Sequence, residues 1–378
     1  MEFKEEHLAF RRVMREFADA EIAPHTREWD RTKTFPLDAV KKMADLGLFG
    51  LPFEERYGGS ESDFATLCIA IEELARVDQS MAITLEAAVG LGINPIAEFG
   101  TEEQKERWLP DLIAGRALAA FGLTEPDAGS DAGATRTKAD LIDSEWHVNG
   151  SKAFITNSGT DITTLVTVTA RTAPEEISTI IVPVDTPGFE VEPPYEKMGW
   201  HASDTHGLRF DDCVVPEENL LGERGQGFRQ FLHTLDDGRI AIAALAVGVL
   251  QSCLEETTAY AKERTSFGRA IGAYQAVAFK IADIEVMAEA ARLLTYKAAW
   301  LKDTGQPYKH AAARAKLYAT EAAVTATREA TQIFGGAGFL DDTLVARHYR
   351  DAKVLEIGEG TSEIQRLVIA RGLGLPVH

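Results

Sequence analysis

Three cysteines are spread over 378 residues, at Cys68, Cys213 and Cys253. None share a Cys-x-x-Cys spacing, so neither a disulfide framework nor a metal site is indicated, and a reducing, cytoplasmic compartment is expected. Positive charge is scarce: 39 Lys and Arg stand against 59 Asp and Glu, a formal charge of −20. Nucleic acid and anionic membrane surfaces require a local Lys/Arg excess, so neither is expected as a partner. The acid surplus reads as a solvated face, with a docking patch for a basic partner as the alternative. Long apolar runs are missing too. Residues 240–250 form the most apolar stretch, too short to cross a bilayer and suited to a buried helix. The opening Met1-Glu2-Phe3-Lys4-Glu5-Glu6 has no basic segment followed by an apolar one, so no signal peptide is expected. Strands and helices nowhere alternate as a doubly wound dinucleotide-binding domain requires.

What is present suits a large core shared by two or three domains, since 45% of the residues are hydrophobic. Up to about residue 118 the pattern is helical. Phe10, Val13, Phe17 and Ala20 fall on one stripe, and Thr101 ahead of Glu102-Glu103-Gln104 predicts a capped helix start. Between 119 and 225, β-branched runs at 164–169, 179–184 and 207–210 take over. Segments 145–148 and 152–156 flank Asn149-Gly150, which predicts a tight hairpin turn at that dipeptide. In a reducing compartment, Asn149-Gly150-Ser151 reads as that turn and not as a glycosylation acceptor. From 226 onward, Ala-rich stretches at 288–302 and 310–333 predict a helix bundle. The expectation is an α+β chain in three domains: a helical domain over 1–118, an antiparallel β-barrel-like domain over 119–225, and a helical bundle over 226–378.

Three stretches carry the chemistry. Gly122-Leu123-Thr124-Glu125-Pro126-Asp127-Ala128-Gly129-Ser130-Asp131 forms a loop whose backbone amides can approach an anion, with a plain surface turn as the alternative. Gly335-Gly336-Ala337-Gly338 invites a dinucleotide-fingerprint reading, but no strand precedes it. A turn between helices, where backbone nears a cofactor or a neighbouring chain, fits better. Glu359 lies between Gly358 and Gly360, on backbone that can come close to a substrate. Just beyond it, Ser362 and Gln365 predict a capping box before Leu367-Val368-Ile369. There the carboxylate either complements a helix N-terminus, which lowers its pKa, or is buried beside apolar substrate, which raises it.

In content and order, these stretches resemble the acyl-CoA dehydrogenase family. The first loop resembles one family signature. Gln332-Ile333-Phe334-Gly335-Gly336-Ala337-Gly338-Phe339 resembles another. Tyr349-Arg350-Asp351-Ala352-Lys353, followed by Ile357-Gly358-Glu359-Gly360-Thr361-Ser362-Glu363-Ile364-Gln365-Arg366, resembles the segment that carries the family's base. The resemblance spans essentially the whole chain and implies the family's fold, FAD as cofactor and an acyl-CoA substrate. It implies Glu359 as the base. Phe121, Leu123 and Thr124 would lie along the flavin ring, with Ser130 near the FAD pyrophosphate and the substrate. Phe154, Ile155 and Thr156 would form a second flavin contact. Thr361 and Glu363 would touch the cofactor, and Gly360 would reach the substrate too. Arg264, Ser266, Phe267, Gln275, Gln332 and Gly336 would reach the FAD of a partner subunit, which implies a homotetramer built as a dimer of dimers. Asp236 and Arg239 would contact CoA. Some relatives place the base on that helix, where Gly238 offers no acid and Asp237 is the nearest competitor.

The reaction so implied is α,β-desaturation of an acyl-CoA to the trans-2-enoyl-CoA, with electrons passed to an electron-transferring flavoprotein. Segment 235–243 and Ala291-Arg292-Leu293-Leu294-Thr295-Tyr296 look most like short-chain members. Residues 83–92 should form the pocket floor and include no Arg to pair with a dicarboxylic substrate, so a short straight or branched acyl group is expected. An oxidase or flavin monooxygenase of the same fold is one alternative, although such monooxygenases generally lack the base. A non-catalytic scaffold relative that has lost FAD or the base is the other.

Overall fold

In the computed structural model, which describes residues 3–377, short polar side chains start the main helices of the first third. Helices α1 (Glu5–Phe17), α2 (Thr26–Thr32) and α3 (Leu37–Asp45) lead to α4 (Phe64–Val77), capped by Asp63, and α5 (Gln79–Glu86), capped by Asp78. After α6 (Asn94–Phe99), Thr101 and Gln104 make the expected reciprocal cap of α7 (Glu102–Ile113). The stripe on α1 differs from expectation. His7, Met14 and Ala18 are buried, whereas Val13 is 49% exposed and Ala20 lies on the surface. The reason is ionic: Arg11 turns inward to reach the buried Glu72 of α4 at 2.6 Å.

The middle region builds one mixed sheet from β1 (Leu118–Gly122), β2 (Lys138–Ile142), β3 (Glu145–Thr156), β4 (Thr163–Ala173), β5 (Glu176–Pro183), β6 (Phe189–Val191), β7 (Thr205–Pro216) and β8 (Leu220–Leu221). Its order is β6-β7-β3-β2-β4-β5-β8, with β1 beside β4. It is not purely antiparallel, because β1 runs parallel to β4. The hairpin also lies elsewhere than expected. Asp143 and Ser144, at φ 51° and 65°, turn β2 into β3, while Asn149-Gly150 lies inside the continuous β3 at a register shift against β7. Asn149 Oδ1 there accepts from the Asp212 amide at 2.8 Å.

The last third is a bundle of α8 (Gly227–Glu263), α9 (Gln275–Asp303), α10 (Lys309–Phe334), α11 (Leu344–Ala352) and α12 (Ser362–Gly372). A small hairpin of β9 (Thr265–Ser266) and β10 (Arg269–Ala270) joins α8 to α9. At 37 residues, α8 is about 55 Å long, and every residue from 240 to 250 is buried against α4, α9 and α10. Both Gln79–Phe99 and Gly227–Glu263 are apolar enough for a membrane span, but 83% and 78% of their apolar windows are buried inside the fold. That apolarity is therefore core. On α9, Arg292 and Tyr296 reach Glu72 at 3.1 and 2.5 Å. The short-chain likeness of that segment accordingly includes two side chains committed to tying α9 to α4.

Candidate active site

The strand β1 delivers the first motif loop to the middle of the molecule. The Ala153 amide donates to the Thr124 carbonyl at 2.8 Å, which joins that loop to β3. Beneath the junction lies a buried ion pair. Lys152 Nζ reaches Glu125 at 2.7 Å, the Leu123 carbonyl at 3.2 Å, and the hydroxyls of Thr135 and Thr169 at 3.1 Å each. Glu125 also accepts from the amides of Arg136 and Thr137 and from Thr135 Oγ1. Burial alone would raise its pKa, but Lys152 and these donors hold it at about 2. Burial outweighs the same pair for Lys152, lowering it to about 8. Above this base, Phe121 stacks on Phe231 of α8 with centroids 3.9 Å apart. Phe154, at φ 60°, is 65% exposed beside Tyr195, so its ring is not sheet core. Ile155 points the other way, into the sheet core, and Ser130 is on the surface. An exposed aromatic face beside Thr124 and Thr156 suits a planar ring system.

Glu359 meets the same helix, α8, at Gly238, about two turns beyond Phe231. Its backbone is left-handed at φ 51°, followed by Gly360 at φ 89°. Such a conformation is costly for a residue with a side chain, so its surroundings must hold it. A Cβ added to Gly238 would collide with Glu359 Oε2, so the carboxylate rests on the glycine of α8. Neither Glu359 oxygen has a hydrogen-bond partner, and burial raises its pKa. The fully buried Glu86, at the end of α5, comes within hydrogen-bonding reach. Burial and the neighbouring Glu359 push Glu86 well above the ordinary carboxylate range. The two raised carboxyl groups thus face each other, with the larger shift falling on Glu86. Asp237 does not compete for the role of base. It bonds Lys302 and Tyr308 at 3.0 and 2.7 Å, turned away from Glu359. Asp236 and Arg239 are buried and pair with each other. The expected capping box is replaced as well: Thr361 caps α12, while Gln365 reaches back to the Gly360 carbonyl at 2.8 Å.

Models of the acyl-CoA dehydrogenase N-terminal, middle and C-terminal domains match residues 4–116, 120–213 and 225–374. The chain belongs to the acyl-CoA dehydrogenase family. It is 45% identical to a short-chain-specific acyl-CoA dehydrogenase of Clostridium acetobutylicum, over 95% of this chain and 96% of that protein. Its fold matches butyryl-CoA dehydrogenase from Megasphaera elsdenii with a TM-score of 0.96 at 42% identity, covering 99% of each chain. It also matches a prolyl acyl carrier protein oxidase, AnaB, at a TM-score of 0.95 and 36% identity, covering 99% of this chain and 100% of that one. The protein is thus an FAD-dependent oxidoreductase of this family, with its three-part helical, β and helical fold.

Within this acyl-CoA dehydrogenase, the expected site residues fall into two groups. Phe121 reaches α8 at Phe231, Leu123 and Thr124 follow it on the loop that bonds β3 beside Phe154 and Thr156, and Gly238 of the same helix meets Glu359, next to Gly360 and Thr361. Arg264, Ser266, Phe267 and Gln275 lie exposed around the β9–β10 hairpin, beyond the other end of α8. Gln332 and Gly336 join them, because Tyr260 stacks on Phe334 at 4.1 Å. Glu363 is exposed on the first turn of α12. Sequence reasoning placed Glu86 only in the pocket floor and gave Lys152 and Lys316 no part. An acidic residue in an otherwise apolar stretch was the available signal for Glu86. In the third motif, Arg350 pairs with Asp30 at 2.6 Å and Asp351 accepts from the Trp200 amide at 2.7 Å. Burial raises Asp351 to about 7, and both residues lock α11 to its neighbours.

Proposed function

We propose that this enzyme desaturates a short straight or branched acyl-CoA to its trans-2-enoyl-CoA, with Glu359 removing the α proton. The observation that carries this reading is Glu359 seated on Gly238, with both carboxylate oxygens buried and without a hydrogen-bond partner. A carboxylate raised by burial is a stronger base towards carbon-bound hydrogen while still ionised near neutral pH. The Glu359 backbone N–H donates to the thioester carbonyl and stabilises the enolate that forms. FAD, when bound, accepts the β hydride. Phe121, Leu123, Thr124, Phe154 and Thr156 would hold the ring, Ser130 the pyrophosphate, and Gly360, Thr361 and Glu363 would touch the cofactor as well, while Ile155 anchors its strand in the sheet core. Asp236 and Arg239 hold the CoA end as a preformed pair. The likeness to a short-chain-specific acyl-CoA dehydrogenase and to butyryl-CoA dehydrogenase favours a short acyl chain.

Residues 231 and 260 lie 29 positions apart on α8, about 43 Å along its axis. That separation favours a site shared between two chains. Phe267 and Phe339, 95% and 92% exposed, are suited to burial by a second copy. We read the assembly as a homotetramer, a dimer of dimers, with domains at 1–118, 119–225 and 226–378. Three buried free thiols suit a reducing, cytoplasmic setting, and an electron-transferring flavoprotein is the acceptor we assign.

Anaerobic titration with butyryl-CoA should bleach the flavin in the wild type and not in Glu359→Gln. Faster turnover of octanoyl-CoA than of butyryl- and isobutyryl-CoA would overturn the chain-length assignment. The likeness to an oxidase favours oxygen as a second possible acceptor. Comparing reoxidation in air with reoxidation by an electron-transferring flavoprotein decides between them.

A further inference from the structure

A buried lysine on α10, outside every motif, grips the loop that carries the base. Lys316 is fully buried, and its ammonium donates to the Gly358 carbonyl at 2.8 Å and the Gly360 carbonyl at 2.6 Å. These carbonyls lie on either side of Glu359, whose left-handed backbone needs outside support. In a trans peptide the C=O and the N–H point in opposite directions. The Gly358 carbonyl belongs to the same peptide group as the Glu359 N–H. Holding that carbonyl towards Lys316 therefore aims the N–H to the opposite side. A cation on the carbonyl also polarises the peptide, which makes its N–H a stronger donor.

We propose that Lys316 is a positioning residue that orients and polarises the Gly358–Glu359 peptide as the donor to the thioester oxygen. Gln365 supports the same loop from α12 through the Gly360 carbonyl, but it is neutral and engages no carbonyl of the Gly358–Glu359 peptide. The charged groups around Lys316 are Glu359 on the loop, Arg239 on α8, Glu356 and Glu363. Burial lowers Lys316 to about 8 against the pull of Glu359. Keeping an ammonium in such a place is costly unless its charge is used.

The inference rests on Glu359 as the base, and the test separates the two. In the full-length FAD-loaded enzyme, Lys316→Met should slow anaerobic flavin reduction by butyryl-CoA at least about tenfold, a fraction of the loss expected for deleting an oxyanion donor. Affinity for crotonyl-CoA should change less than about threefold, because the loss falls on the transition state. Bound acetoacetyl-CoA, followed by the ultraviolet absorbance of its enolate, should require a higher pH to ionise. If Lys316→Met does not retain FAD, the same measurements on Lys316→Gln decide, since that shorter neutral side chain cannot bridge both carbonyls. A folded variant with reduction and ionisation within about twofold of wild type would overturn the role. Failure of both variants to hold FAD would overturn it in favour of a purely structural one. A Glu359→Gln enzyme that still reduces its flavin would instead sink the reading of the base.

Discussion

Glu125 and Glu359 are both motif carboxylates in loops rich in glycine, and the protein treats them in opposite ways. Glu125 is 5% exposed and surrounded by donors: Lys152, the Thr135 hydroxyl and two backbone amides. It stays ionised and anchors the loop against β3. Glu359 has no donor for either oxygen among the described residues and faces a second carboxyl group, Glu86. Its charge is costly, and a proton on it is correspondingly favoured. The contrast shows that residue type and motif membership do not assign a role. The count of donors around the oxygens does, because a carboxylate with a full set of hydrogen bonds gives up basicity in exchange for rigidity.

The sharpest test exchanges ionisable for neutral at the reactive member. Glu359→Gln should lower the rate of flavin reduction by about 10²–10⁴-fold, as loss of a general base does. FAD content and melting temperature should hardly change, because Gln supplies a donor where the wild type has none. At the structural member the cost should move to stability. Lys152→Met leaves Glu125 buried without its cation and should cost about 3–5 kcal/mol, read as a fall in the unfolding midpoint. The sign of the pH dependence follows from the lowered pKa of Glu125. Its stabilising share is intact above the ordinary carboxylate range and fades as pH falls through about 2.

A smaller effect is expected where the base touches α8. Gly238→Ala adds a Cβ where Glu359 Oε2 lies, and a misplaced base should lose roughly tenfold to a hundredfold in kcat. The helix itself should tolerate alanine, so a drop in melting temperature without a kinetic loss would contradict the contact. The mildest change concerns Glu86. Glu86→Leu replaces the polar group facing Glu359 with hydrocarbon, so the acid limb of kcat/KM should move to higher pH. Glu86→Gln keeps a polar group of the same size there and should leave the limb closer to its wild-type position than Glu86→Leu does. An unmoved limb in Glu86→Leu would separate the two carboxyl groups.

Much of the fold was legible in the sequence because the relevant signals are local. Thr101 and Gln104 cap α7 through bonds three residues apart, and the Ala-rich stretches form α9 and α10 with few breakers. Local signals also misled where a distant partner intervened. Asn149-Gly150 has the chemistry of a hairpin turn, but pairing with β7 carries β3 straight through it. Ser362 and Gln365 have the spacing of a capping box, yet Gln365 is drawn back to the Gly360 carbonyl. The stripe on α1 held at Phe10 and Phe17, which pack on the core, and failed at Val13 and Ala20, where Glu72, 61 residues from Arg11, turns that arginine inward.

By itself the sequence determined the family, the three-part fold and the need for FAD, since each is written in contiguous residues whose spacing survives folding. Tertiary structure alone decided which carboxylates are pushed above the ordinary range and which are held below it. Glu86 and Lys316 are separated from Glu359 by 273 and 43 positions, 359 less 86 and 359 less 316. They act on it only because α5, α8 and α10 converge where water is excluded, and in that low dielectric a few ångströms fix both the charge of a group and its chemistry.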